Sequence, residues 1–367
     1  MKLRIPNLGP SARRWLRLAA IPLFYCFCLV LFARLTFPYD RVKHRILAEF
    51  EARQTGPNAK QLEIDDVSGY WLFGVEAEGV RLITPPAPEK PGDDPGNAKP
   101  KARVMSIDAL HGSVSLLRLI FGTTAVDFGL EVGEGVLDGH FVRSSEMSEL
   151  EVDIADLSVT GLGPLEEIIQ LPLEGTLAGH VEFKMPEGKL QESEGKLDLS
   201  IDALQVGDGK AKIRDTIALP KLRVGTLKLK AEAAQGKLDL KELSADGADF
   251  QLHSDGSVRL RDPFNTSVAD LRVNFKFKDV YKNKNDITRG LFGAPDSNVP
   301  GLFDLDPKIK RAKGADGFYG WRAAGQIAKL SFTPAADGGG AAPASRSSRP
   351  RRGKPITRPK KPSKSKD

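Results

Sequence analysis

The chain has 367 residues, 40% of them apolar and 28% charged, with a net charge of +6 and two cysteines. That apolar share is ordinary for a folded core, and the length allows about two domains or one large β domain with appendages. The charge does not suit a nucleic-acid binder: residues 336–367 hold ten Lys/Arg against two Asp. This +8 tail leaves about −2 on the rest, and no nucleic-acid motif is present, so no nucleic-acid partner is expected.

Residues 1–17 carry Lys2, Arg4, Arg13, Arg14 and Arg17 and no acid, and Leu18–Ala33 follows without a charge. This apolar core is a little shorter than the roughly 20 residues that cross a bilayer. Trp15, Arg17, Arg34 and Tyr39 extend it, because arginine stems snorkel and aromatic rings favour the interface. No small-x-small cleavage site follows, and Cys26 and Cys28 lack the small residues that precede a lipidated cysteine. The expectation is therefore an uncleaved transmembrane signal anchor over residues 1–36. Asp40 and Glu49 offset the basic residues on its far side, so the positive-inside rule puts the N-terminus in the cytoplasm. The bulk of the chain has no cysteine, which fits folding outside the cytoplasm without disulfides.

Residues 37–335 read as one β-rich domain. It opens with a helix from Asp40 to Arg53, where Val42, Ile46, Leu47 and Phe50 share a face and Gly56-Pro57 stops it. Strands are expected over Leu62–Val67 and Val75–Ile83, joined by the aromatic turn Gly69-Tyr70-Trp71-Leu72-Phe73-Gly74, in which Trp71 reads as a core anchor. Thr84–Pro100 reads as a disordered excursion from a hairpin. Strands follow over Val104–Leu110, Val126–Val132, Val136–Phe141 and Leu150–Val159, with short helices over Ser113–Phe121 and Pro164–Leu171.

Beyond Leu173 the strands Leu177–Phe183, Leu197–Val206, Leu222–Leu229 and Leu271–Phe277 stand out. Phase changes at Gly225-Thr226 and between Ile201 and Leu204 predict bulges that coil the sheet. Gly236–Leu260 reads as a repeated hairpin unit with its turn at Ser254-Asp255-Gly256, and its opening GKLDL recurs at Gly195–Leu199. Asp286–Phe292 predicts a helical turn, Phe318–Phe332 a closing strand or hairpin, and residues 336–367 a disordered basic tail. The fold class is thus mainly β: a curved antiparallel sheet of repeated hairpins with a few short helices, after one transmembrane helix.

No catalytic, cofactor-binding or metal-ligating residue emerges. His44, His111, His140, His180 and His253 are scattered, none at metal spacing. No nucleophile elbow, phosphate loop or dinucleotide fingerprint is present, and Gly133-x-Gly135 and Gly161-x-Gly163 read as turns. The acid pairs Asp65-Asp66, Glu166-Glu167 and Asp304/Asp306 read as solvated. The chain is not expected to be an enzyme.

The anchor, Phe37-Pro38-Tyr39-Asp40, the amphipathic helix and the Gly-Tyr-Trp-Leu-Phe-Gly turn follow one another in an order that resembles the long form of the type II secretion system protein N family. GKLDLKELSADGADFQLHSDGSVRL, Arg261-Asp262-Pro263, the Ser267–Phe277 strand and the closing GFYGWRAAGQIAKLSFTP resemble it too, so the likeness covers about Phe37–Pro334. It implies a single-pass inner-membrane protein whose periplasmic β domain assists the secretion apparatus through contacts with its other subunits. The strand style is also similar to AsmA-like envelope proteins. That likeness implies an alternative, a one-sided apolar β groove that binds or conducts membrane lipid.

Overall fold

The computed structural model describes residues 10–54, 59–71, 73–85, 103–160, 171–208, 212–213, 217–218, 220–294 and 300–335. Helix α1 (Pro10–Thr36) carries the apolar run, and α2 (Tyr39–Arg53) the amphipathic stretch. Strands β1 (Gln61–Glu63), β2 (Asp66–Tyr70), β3 (Gly74–Thr84) and β4 (Arg103–Val114) follow, then the short α3 (Leu116–Ile120). Next come β5 (Thr124–Val132), β6 (Gly135–Arg143), β7 (Met147–Ser158), β8 (Leu173–Pro186) and β9 (Glu194–Val206). A two-stranded ribbon, β10 (Lys212–Ile213) with β11 (Ile217–Ala218), precedes β12 (Leu222–Ala234), β13 (Lys237–Asp246), β14 (Phe250–Arg259) and β15 (Val268–Phe277). Helices α4 (Asp279–Lys282), α5 (Asp286–Phe292), α6 (Leu302–Leu305) and α7 (Pro307–Ala312) lead to the closing hairpin of β16 (Tyr319–Gln326) and β17 (Ser331–Pro334).

Apart from the ribbon, all the strands form one 15-stranded antiparallel sheet. From β3 onward each strand pairs with the next one in the sheet's chain order, so the sheet is a meander, while β1 and β2 share β3 as partner. The mainly β, antiparallel fold with few helices is therefore as the alternation predicts. The strands run longer than read from sequence, because ladder hydrogen bonds continue through polar ends such as Gly112-Ser113-Val114. That takes Ser113 and Val114 out of the expected helix, which begins at Leu116.

The predicted bulges are present: the register shifts on both sides of Gly225, which has φ +81°, and opposite it around Ala203, with φ +51°. Further shifts fall at Ile154/Leu157 and Glu174/Thr176. These gather at one end of β7, β8, β9 and β12, where Val159, Leu173, Leu204, Val224 and Ala245 make the best-buried apolar cluster, and two more shifts lie at Lys230/Ala231 and Leu240/Leu243. Bulges bend a strand and raise its local twist, which lets neighbouring strand ends cover one another.

Two expectations are overturned. The turn of the Gly236–Leu260 hairpin is at Gly247–Asp249, and Ser254-Asp255-Gly256 lies inside β14. Gly256 is there because the neighbouring strand comes close: at φ +140° a Cβ would stand 2.3 Å from the Asp270 carbonyl oxygen. Trp71 is not a core anchor; it sits at the tip of the β2–β3 hairpin with φ +48° and 75% of its surface exposed. Gly56-Pro57, most of Thr84–Pro100, Pro164–Gln170 and residues 336–367 lie outside the described residues.

Candidate functional site: a one-sided apolar sheet face

Because successive side chains on a strand point to opposite faces, the register defines what each face carries. One row runs Val75, Gly112, Phe128, Gly139, Val152, Val181, Leu197, Ala231, Leu240, Gly256, Leu271, Ala323 and Phe332 across thirteen strands. Every member is apolar or glycine. At about 4.8 Å per strand the row extends for roughly 55–60 Å. Aromatic rings lie across glycines on this face, with Phe128 over Gly139 in the row and Phe183 against Gly195 next to it.

The opposite face is charged. Its rows include Asp127, His140, Glu151, Glu182, Lys196, Glu232 and Asp239, and beside them Asp138, Asp153, His180, Asp198 and Lys230. Lys230 pairs with Asp198 at 3.0 Å and Lys241 with Glu232 at 3.3 Å. Asp270 takes a two-pronged hydrogen bond from Arg322, which holds its carboxyl below the usual range.

Helices pack on the apolar face at the two ends of the sheet. At the first, Tyr39 and Leu47 of α2 rest on Ile64, Val67, Ala77 and Val80. At the last, α4–α7 bring Tyr281, Phe292 and Phe303 over Phe277, with ring centroids 5.7 Å apart for Tyr281 and 4.9 Å for Phe292. Burial pushes the Tyr281 hydroxyl up to about 12 while it donates to the Pro220 carbonyl at 2.8 Å. Between these ends Phe128, Val152, Val181, Leu197, Leu240 and Leu271 stay only half-buried. Leu271, Val273, Phe275 and Phe277 are half-buried too, but burial alternates only as far as Val273, because Asn274 and Lys276 on the other face are also half-buried.

The described residues show a possible metal-ligand group that sequence spacing missed, because it forms across strands. Glu151, Asp153 and His180 bring one ligand atom each within 4.8 Å of one another. His180 Nδ1 is already engaged with Asp153 Oδ1 at 2.7 Å, and that hydrogen bond raises its pKa. Asp153 thus already occupies the His180 nitrogen nearest the group, which lies across strands on the charged face. A similar cross-strand pair joins His140 to Asp127. Of the other histidines, His111 stacks on Tyr70 at 4.3 Å, His253 meets Phe318 at 5.2 Å, and His44 is exposed on α2.

Three of the paired acids have structural partners, and Asp66 is exposed. Asp65 receives Arg81, Asp304 receives Lys313 at 2.9 Å, and Asp306 caps α7 by accepting from the Lys308 N–H at 2.7 Å. Glu166 and Glu167 lie outside the described residues. Gly133 and Glu134 form the β5–β6 turn, as expected for Gly133-x-Gly135.

Two phrases far apart in the chain meet here. Tyr39, of Phe37-Pro38-Tyr39-Asp40, lies against Gly69, where an added Cβ would come within 2.3 Å of its hydroxyl. Arg34 in the last turns of α1 donates to the Gly69 carbonyl at 3.0 Å, and Lys43 of α2 to the Asp65 carbonyl at 2.8 Å. The end of α1 is thus fastened to the β2–β3 hairpin. Among the described residues no single helix is long and apolar enough to cross a membrane; the stretch Ala20–Thr36 of α1 and α2 pass that test together, across a 57° bend.

Comparison with protein-family models, curated proteins and solved structures found no match. The reading of function therefore rests on the two-faced sheet and on the helix fastened to its first edge.

Proposed function

We propose that the chain is a non-enzymatic, inner-membrane-anchored protein whose β domain lies in the periplasm and whose apolar sheet face receives lipid acyl chains. One observation carries this reading: an unbroken apolar row crosses thirteen strands, and along its middle Val152, Val181, Leu197 and Leu240 are only half-buried, with Ala231 alone buried among them. A sheet that closes its own core places a second layer over such a face. A partly exposed apolar strip of this length suits a chain-like apolar ligand more than a compact polar one. The exposed Leu18, Ile21, Phe24, Phe27, Leu29 and Phe32 on α1 support the anchor, since none of the described residues covers them.

The test is lipid retention. Full-length protein extracted in native nanodiscs and transferred to native mass spectrometry is expected to carry phospholipid. Val181→Asp, in the middle of the row, is expected to abolish the carriage, and Lys196→Ala on the charged face to leave it intact. Equal carriage by all three proteins refutes the acyl-chain reading.

A second reading is an accessory component of a type II secretion apparatus that works through contacts with other secretion subunits. What favours it is that Phe37-Pro38-Tyr39-Asp40 and the Gly69–Gly74 turn, two phrases of the family likeness, pack on each other through Tyr39 and Gly69. Deleting the gene and measuring the release of secreted enzymes tests it. Normal secretion refutes this reading and leaves the first standing.

A further inference from the structure

The end of the sheet to which α1 is fastened carries an apolar surface that the acyl-chain reading does not use. α3 and the residue after it read Leu116-Leu117-Arg118-Leu119-Ile120-Phe121, and every apolar side chain in this stretch is exposed. Leu117 is 70% exposed, Ile120 78% and Phe121 79%. A five-residue helix with both sides apolar gains nothing from water. The β2–β3 tip is at the same end, because the Val114 N–H just before α3 donates to the Phe73 carbonyl at 3.2 Å. Trp71 stands on that tip in a left-handed conformation that a bulky residue rarely adopts. Phe37 and Leu35, at the close of α1, are exposed as well.

We propose that α3, Phe121, Trp71 and Phe73 form a membrane foot that rests in the outer interface of the bilayer that α1 crosses. The proposal builds on the anchor reading above. Three observations choose a bilayer over a protein partner. The foot is continuous with the exposed apolar side chains of α1, through the Arg34 hydrogen bond to Gly69. It combines indole and phenyl rings with aliphatic side chains, the mixture favoured at headgroup depth. Its cations, Arg34 and Arg118, suit anionic headgroups. A foot at this position fixes the tilt of the sheet and sets the first strands of the apolar row at the membrane surface, where an acyl chain would leave the bilayer.

The experiment uses the unmodified full chain in nanodiscs that contain phosphatidylglycerol and a phospholipid with a photoactivatable group at shallow acyl depth. After illumination, labelled peptides are mapped by mass spectrometry. Label is expected on α1, on the 71–73 tip and on 116–121, well above that on the charged sheet face. Label on α1 without the other two overturns the foot and leaves the anchor standing. Absence of label from α1 and from the foot overturns both.

A second measurement reads the foot directly. In a chain whose only tryptophan is Trp71 (Trp15→Phe, Trp321→Phe), emission is expected to be blue-shifted and quenched by lipids brominated near the headgroup. Unquenched emission from folded protein, with Trp15 quenched in the matching variant, overturns the foot.

Discussion

Truncating Leu197 and Leu173 to alanine separates an open apolar face from a closed core. Leu173 is 2% exposed within the cluster of Val159, Leu204, Val224 and Ala245. Leu197 lies mid-row between Val181 and Ala231 and is half-buried. Deleting three carbon groups from a fully buried leucine loses about 2.4 kcal/mol at about 0.8 kcal/mol each, and an unfilled cavity raises the cost to roughly 3–4 kcal/mol. At Leu197 the neighbours lie on one side only, so no enclosed cavity forms and part of the transfer energy was never gained. The expected cost there is about 1–1.5 kcal/mol. Urea unfolding of each variant in nanodiscs, followed by pulse proteolysis, reads both values. A loss at Leu197 equal to that at Leu173 would mean that a second layer covers the row, and the open-face argument would fail.

Three further expectations follow from particular side chains. Asp249, fully buried in the β13–β14 turn, accepts from the Arg223 backbone N–H and from its guanidinium at 2.8–3.0 Å, with Lys284 at 3.7 Å. Burial opposes its charge, but these donors outweigh it and hold the carboxyl below the usual carboxylate range. Its stabilisation is therefore complete above the ordinary value near ~3.9 and is lost as pH falls through the depressed one. Asp249→Ala should cost about 1.5–3 kcal/mol at neutral pH and flatten the acid limb of a thermal-melt series. Because His180 is raised by its hydrogen bond to Asp153, Asp153→Asn should lower the His180 titration midpoint in NMR spectra, and an unchanged midpoint would discount the pair. Gly256→Ala should destabilise by more than 1 kcal/mol, read as a lowered Tm, since its φ of +140° and the Asp270 carbonyl leave no room for a methyl group.

Period-two alternation was enough to read most of this protein. Leu271, Val273, Phe275 and Phe277 against Arg272, Asn274 and Lys276 specify a strand with two unlike faces before any partner is known, because backbone geometry alone separates odd from even positions. The bulge at Gly225 was legible for the same reason: one extra residue inverts the pattern. Local composition misled where it competed with a long-range contact. Ser254-Asp255-Gly256 has turn chemistry, yet its glycine serves the close approach of β15, and the real turn is secured by Asp249 reaching back to Arg223. Trp71 was misplaced because hydrophobicity predicts burial only where other chain is at hand to cover the ring, and no described residue covers it at the hairpin tip. Likewise the cross-strand grouping of His180 with Glu151 and Asp153 depends on register between segments about thirty residues apart. Alternation says which side of a sheet is apolar. What lies over that side depends on where helices and strand ends come to rest, and for the middle of this sheet only the tertiary structure decided that the apolar row stays half-open.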